Sequence, residues 1–300
     1  MNSLVSIIIP CYNGQASLNS CLKSIKGSIK NLPINYSAEI IVINDGSTDL
    51  TQKILQKEKN IRVIVHNKNL GLSSARNTGI KHSKGNFLVF LDCDIDVKEN
   101  WLPNMLDFFN QNNDIVGVTG NLKPLAKKHL SRLEKYLFSN YRGSKKAGIT
   151  HNLKYKWFVF SNTIIKKEVI GTAGPFDKSL KKYGGEDIEL SIRISKKFPN
   201  GMRQNNNALS YHHVNKSFED YLQNVYDYGK YNFIKIIKKH PIHKKSLEYR
   251  LVSSFYTPFL FNSLTLYIAK IFLKFSKHPL LTKFFLMDSF IKGIKKSSLK

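Results

Sequence analysis

The chain has 300 residues, 42% of them hydrophobic and 12% aromatic, so a real core can be buried in one large or two modest domains and wholesale disorder is excluded. Its 47 basic against 21 acidic residues give a formal charge of +26, which favours an anionic partner such as nucleic acid, acidic lipid headgroups or phosphorylated small molecules. Cys11, Cys21 and Cys93 lack CxxC or Cys/His metal spacing, which speaks for free thiols in a reducing compartment rather than a disulfide framework. The apolar stretch Val5–Ile9 stops at Pro10 with no basic region before it, too short for a signal peptide, so a cytoplasmic location is expected.

In chain order, Leu4–Ile9, Glu39–Asn44, Ile61–His66 and Asn86–Leu91 are apolar, mostly β-branched runs, as expected of strands buried on both faces. Between them, Leu18, Cys21, Leu22 and Ile25, then Ile54 and Leu55, then Leu72, Ala75 and Ile80 recur at helical spacing. Strand and helix alternating at these lengths predict right-handed βαβ units and a mainly parallel, Rossmann-like sheet of the α/β class, flanked by helices. In NDGSTDLTQKIL, Ser47 or Thr48 is expected to cap a helix with Asp49 in its first turn. Ligands of open parallel sheets bind beyond the carboxyl ends of the strands, and Cys11–Gly14, Asp45–Ser47 and Asp92–Asp96 all fall there.

From Asn121 to Ile149 the chain is basic and reads as a helix plus loop. WFVFSNTIIKKEVI resumes strand and then helix character, GTAGPFD and YGGED are turn-rich, and EDIELSIRISKKF is amphipathic through Ile188, Ile192 and Ile194. Residues 231–300 differ from residues 1–230. Lys235–Lys300 carries fourteen Lys and Arg against Glu248 and Asp288, and Leu251–Ala269 has no charged residue. That stretch is expected to form an in-plane or re-entrant amphipathic helical anchor at an anionic membrane surface, peripheral to its inner face, the alternative being a helical cap on the catalytic domain.

Asp92-Cys93-Asp94 sets two carboxylates at the end of a buried strand. Either both grip one ion, or they have different jobs, one binding ribose hydroxyls and the other a divalent cation. Mg²⁺ or Mn²⁺ suits such oxygen ligands and also binds phosphate.

VSIIIPCYNG, IIVINDGSTD, NLGLSSARNTGI, FLVFLDCDI, GPFDKSL and GGEDIELSIRI stand in the order and spacing of the family 2 glycosyltransferases, which this chain resembles from Val5 to about Tyr231. The resemblance implies a GT-A fold and inverting transfer of a sugar from a nucleoside-diphosphate donor, most simply a UDP-sugar. It further implies that Pro10, Tyr12 and Asn13 line a base pocket, that Asp45 bonds the base, and that Arg76 reaches the nucleotide or its phosphates. Asp92 and Asp94 form the DxD motif, with Asp94 on the metal. Where the family usually shows two acids in its second motif, the first is Asn44 here, so Asp45 acts alone. Asp187 is the expected general base, with Glu186 binding acceptor or orienting the loop. His212 or His213 is the expected further metal ligand. Trp157 and Phe160–Thr163 are expected to wall the sugar pocket.

The expected acceptor is a hydroxyl of a glycan or polyprenyl-linked carrier in cell-surface polysaccharide synthesis. A nucleotidyltransferase would want a Gly-rich, basic phosphate loop near the N-terminus, and Cys11-Tyr12-Asn13-Gly14 offers one glycine and no cation. A nucleic-acid-binding protein would explain the charge but not acids beside the phosphate pocket, so no nucleic-acid partner is expected.

Overall fold

A computed structural model describes residues 3–126, 129–143, 153–247, 249, 254 and 256–297. The chain runs β1 (Ser3–Cys11), α1 (Leu18–Lys30), β2 (Tyr36–Asn44), α2 (Thr51–Lys57), β3 (Arg62–Val65) and α3 (Leu72–His82). It continues with β4 (Phe87–Leu91), β5 (Ile95–Val97), α4 (Trp101–Gln111), β6 (Gly117–Pro124) and α5 (Arg132–Leu137). After a short 3-10 turn come β7 (Asn162–Lys166), α6 (Lys167–Ala173), α7 (Glu186–Lys197) and β8 (Met202–His212). The rest is helical: α8 (Phe218–Asp227), a π-helical turn (Tyr228–Phe233), α9 (Ile234–Lys239), α10 (Thr257–Leu260), α11 (Ser263–Phe275) and α12 (Pro279–Lys295).

The chain divides into two compact units, the first comprising Met1–Leu125, Gly148–Lys181 and Glu186–Val214. Its eight strands lie in the order β3-β2-β1-β4-β7-β6-β8-β5. The four strands expected from the sequence form the parallel half, with β1 between β2 and β4. Strand β7 joins antiparallel to both β4 and β6, and β5 antiparallel to β8, giving the mixed second half. Successive side chains leave a strand on opposite faces. Ile7 and Ile9 accordingly enter one core with Leu22, Trp101 and Met105, while Ile8 enters the other with Phe90, Phe160 and Leu190.

Three local expectations are corrected. Helix α2 starts at Thr51, where the Asp49 carboxylate accepts from the Thr51 backbone N–H at 2.9 Å. Ser47 and Thr48 do not cap it, because both are tied to Asn13. Asn121–Pro124 is the end of β6, not part of a helix and loop, since it pairs with β8. Phe160 is fully buried in an edge-to-face cluster with Phe90, Phe158 and Phe176, so it does not wall a pocket. Asn162 likewise turns inward, accepting from Trp101 Nε1 and donating to Ser210.

The second unit comprises Ala126–Ala147, Lys182–Gly185 and Asn215–Lys300. Helix α12 crosses α8 and the π-helical turn at very short range. A side chain at Gly293 would lie 2.1 Å from the Tyr226 carbonyl oxygen, and one at Gly229 would lie 2.5 Å from that of Phe290. Phe290 stacks on Tyr228 and packs edge-on against Phe233. Of the stretch Leu251–Ala269, residues 251–253 and 255 lie outside the described residues. The remainder forms α10 and the start of α11, and among the described residues no helix is long and apolar enough to cross a membrane.

Candidate active site

The carboxyl ends of β1, β2 and β4 bring three loops together. Asn13 adopts a left-handed backbone, φ 53°, and its side-chain oxygen accepts from the Thr48 N–H at 2.9 Å while its own N–H donates to Ser47 Oγ. Asn44 serves as a tie: its side chain accepts from the Ser47 N–H and donates to Gln52. A carboxylate could make only the first of those bonds, which accounts for an amide at this position. Gly46 lies at φ +70°, and a Cβ there would meet the Lys68 backbone at 2.4 Å, so the second loop packs directly on the chain after β3. Pro10 is buried within β1, paired with Ile43, whereas Tyr12 is 49% exposed.

Asp45 is buried and heavily bonded. Its Oδ1 accepts from the Leu70 N–H at 3.0 Å and from His66 Nδ1 at 2.6 Å, and its Oδ2 accepts from the Gly71 N–H at 2.9 Å. A carboxylate has about four acceptor positions, so one on Oδ2 is left over. His66 also reaches Thr78 Oγ1 at 2.9 Å. Because a carboxylate only accepts and a hydroxyl does either, the imidazole proton belongs on Nδ1. Sequence reasoning missed His66. Its only signal is its place at the end of a predicted strand.

Beyond β4 the backbone turns at once: the Ile95 N–H donates to the Asp92 carbonyl oxygen at 3.1 Å. The two DxD carboxylates thus find different partners. Asp92 Oδ1 faces Arg76 Nη2 at 3.3 Å, and Asp94 Oδ2 faces His212 Nε2 at 3.3 Å. His213 instead reaches Asp96 Oδ2 at 2.8 Å, which also accepts from Ser20 Oγ. The two adjacent histidines are separated by register, Ile95 lying opposite His212 in the β5–β8 ladder.

Arg76, in α3, is only 1% exposed. Its guanidinium donates to Asp187 Oδ1 at 2.6 Å, Glu186 Oε1 at 3.3 Å and Asp92 Oδ1 at 3.3 Å, and lies over the Phe176 ring. It is therefore committed to three carboxylates rather than projecting into solvent. Burial acts to lower its pKa, but Asp187, Asp92 and Glu186 together raise it, so it stays charged. Glu186 and Asp187 open α7, where acids face the positive helix end. Burial and the neighbouring Asp187 push the Glu186 carboxyl up to about 7, against the opposing pull of Arg76. Burial likewise lifts Asp92 to about 6, again against Arg76.

Among the described residues, no group of three or more His, Cys, Asp and Glu side chains is arranged to hold a metal. Yet Asp94 Oδ1 is buried without a hydrogen-bond partner. An orphaned carboxylate oxygen beside an imidazole fits a divalent cation whose other ligands come from substrate phosphate and water.

The family model described as Glycosyl transferase family 2 matches residues 6–172. The chain is 35% identical over 197 residues to a protein named as an uncharacterized glycosyltransferase of Rickettsia bellii, covering 64% of this chain and 26% of that one. It is 27% identical over 271 residues to the chondroitin synthase of Pasteurella multocida, covering 78% and 27%. The chain thus spans about a quarter of the length of these relatives. Its fold resembles S. aureus TarS 1-349 in complex with UDP at a TM-score of 0.57 and 16% identity, covering 97% of this chain and 90% of that one. It also resembles GalNAc-T7 with UDP, GalNAc and Mn²⁺ at a TM-score of 0.57 and 18% identity, covering 84% and 58%. At such identities the likeness speaks for the fold, which is that of the GT-A glycosyltransferases. With the family model matching more than half of its residues, the chain belongs to glycosyl transferase family 2.

Proposed function

We propose that this chain transfers a sugar, with inversion, from a UDP-sugar or related nucleoside-diphosphate donor to a hydroxyl of a glycan or lipid-linked acceptor in cell-surface polysaccharide synthesis. The observation that carries the reading is Arg76, which ties the donor-side Asp92 to the acceptor-side Glu186 and Asp187 in one buried network. The UDP in the TarS and GalNAc-T7 structures and the glycan product named for the Pasteurella relative support the donor and acceptor classes.

In this reading the exposed Tyr12 ring stacks on the base and the remaining Asp45 Oδ2 position accepts from it. Asp92 takes the ribose hydroxyls. Asp94 and His212 would hold Mg²⁺ or Mn²⁺, which supplies Lewis-acid neutralisation of the leaving diphosphate. Asp187 takes the proton of the attacking hydroxyl on Oδ2, because Arg76 holds Oδ1 and so fixes the rotamer. Glu186, more deeply buried, orients the loop. The basic tail, residues 231–300, keeps the enzyme at the anionic inner face of the membrane.

The test is slow donor hydrolysis by the full chain with Mn²⁺, screened over UDP-, GDP- and dTDP-sugars. Asp94→Ala is expected to abolish it, and Asp187→Asn to reduce it by about 10²–10⁴-fold, the range for a lost general base. A wild type that neither binds nor hydrolyses any of these donors would refute the reading.

A further inference from the structure

The second unit carries a built apolar slot that the chemistry above does not use. A half-open groove of about 340 Å³ is lined by Leu260, Phe261, Leu280, Phe284 and Met287, with Lys283, Ser254 and Thr257 completing its wall. Phe261 and Phe284 stack at 4.8 Å, so one wall is a rigid aromatic pair. Its volume falls within the ~300–1,000 Å³ of ordinary ligand pockets. Helix α11, next in the chain, buries none of its thirteen residues. Leu264, Tyr267 and Phe272 are at least 60% exposed, and Phe275 is 84% exposed.

Both ends of that helix are secured. Asn262 and Thr265 form a reciprocal cap at its start, and Arg132 donates to the Leu273 and Ser276 carbonyl oxygens at its end. A well-capped helix with an outward apolar surface is unfavourable in water unless something covers it.

The surrounding charge says what. From Tyr249 to Met287 the sequence contains no Asp or Glu, while Lys270, Lys274, Lys277 and Lys283 are all cationic. A second copy of the chain would bring the same cations to the seam and be repelled. An anionic lipid surface meets both the apolar face and its charge.

We infer that the slot receives one hydrocarbon chain of an anionic phospholipid, with its phosphate beside Lys283 and α11 lying in the headgroup region. This rests on the reading of the tail as membrane-bound and adds the site, its occupant and its orientation.

Flotation of the full chain with vesicles tests it. Binding is expected to phosphatidylcholine vesicles containing phosphatidylglycerol and not to phosphatidylcholine alone. Calorimetry with dodecyl phosphate should show binding, while inorganic phosphate should show none and dodecyl maltoside weaker binding. Leu280→Asp, at a half-exposed position on the slot rim, should weaken vesicle and dodecyl phosphate binding by about tenfold or more, as should Met287→Asp. Donor hydrolysis with Mn²⁺ should be unchanged in both variants. Flotation unaffected by either variant, or a dimer dispersed by Phe275→Asp in a chain that does not float, would overturn the inference. Loss of hydrolysis in the wild type with normal flotation would instead count against the enzymatic reading alone.

Discussion

Arg76 Nη1 lies 2.6 Å from Asp187 Oδ1, and the same guanidinium reaches Asp92 at 3.3 Å, so one buried cation joins the strand that ends in DxD to the helix that opens with Glu-Asp. Neither acid motif would hold its position alone, because each carboxylate is drawn out of water and needs a compensating donor.

Removing that cation should be costly. Arg76→Ala leaves three acids crowded without a partner and is expected to lower stability by about 3–5 kcal/mol, measured by urea denaturation. Arg76→Lys keeps the charge but not the fork, so it should recover part of that stability. A loss below about 1 kcal/mol for Arg76→Ala would mean the acids are not held as the geometry indicates.

Glu186 predicts a pH dependence. Burial and Asp187 raise its carboxyl from 4.5 to about 7, with Arg76 opposing and Asp92 adding to the rise. The folded chain therefore binds this proton more tightly than the unfolded chain. Its contribution to stability is complete below pH 4.5 and declines as pH rises through about 7. In Glu186→Gln that component of the decline disappears, flattening the profile of Tm against pH over that window. An unaltered slope in the variant would show that another group titrates there.

The two histidines should separate cleanly. His212→Ala should weaken Mn²⁺ binding, followed by electron paramagnetic resonance with UDP present, by about tenfold or more, because an imidazole facing Asp94 is lost. His213→Ala should leave Mn²⁺ affinity within about twofold. It should instead reduce stability by about 1–3 kcal/mol, since Asp96 loses a partner while its Oδ1 is already buried without one. The opposite pattern would reassign the ligand.

The parallel half of the sheet was legible because strands buried on both faces must be continuously apolar, and Leu4–Ile9, Glu39–Asn44, Ile61–His66 and Asn86–Leu91 are. The loops at their carboxyl ends followed from that topology, since a βαβ unit returns every strand in the same direction. Strands β6 and β8 were not read from the chain, because polar residues such as Asn121, Asn206 and Asn207 interrupt them and pairing with neighbours supplies what pattern lacks.

What the amino-acid order settled by itself is the set of motifs, their sequence along the chain and the concentration of positive charge in residues 231–300. Tertiary structure decided their partners. At the end of β8 His212 faces Asp94 while His213, one residue further on, meets Asp96, and burial makes Arg76 the hub of three carboxylates. The same packing seals Phe160 in the core and leaves α11 uncovered. Local pattern records which residues are apolar or charged, but which of them meet depends on register and depth, and those arise only when distant segments close on one another.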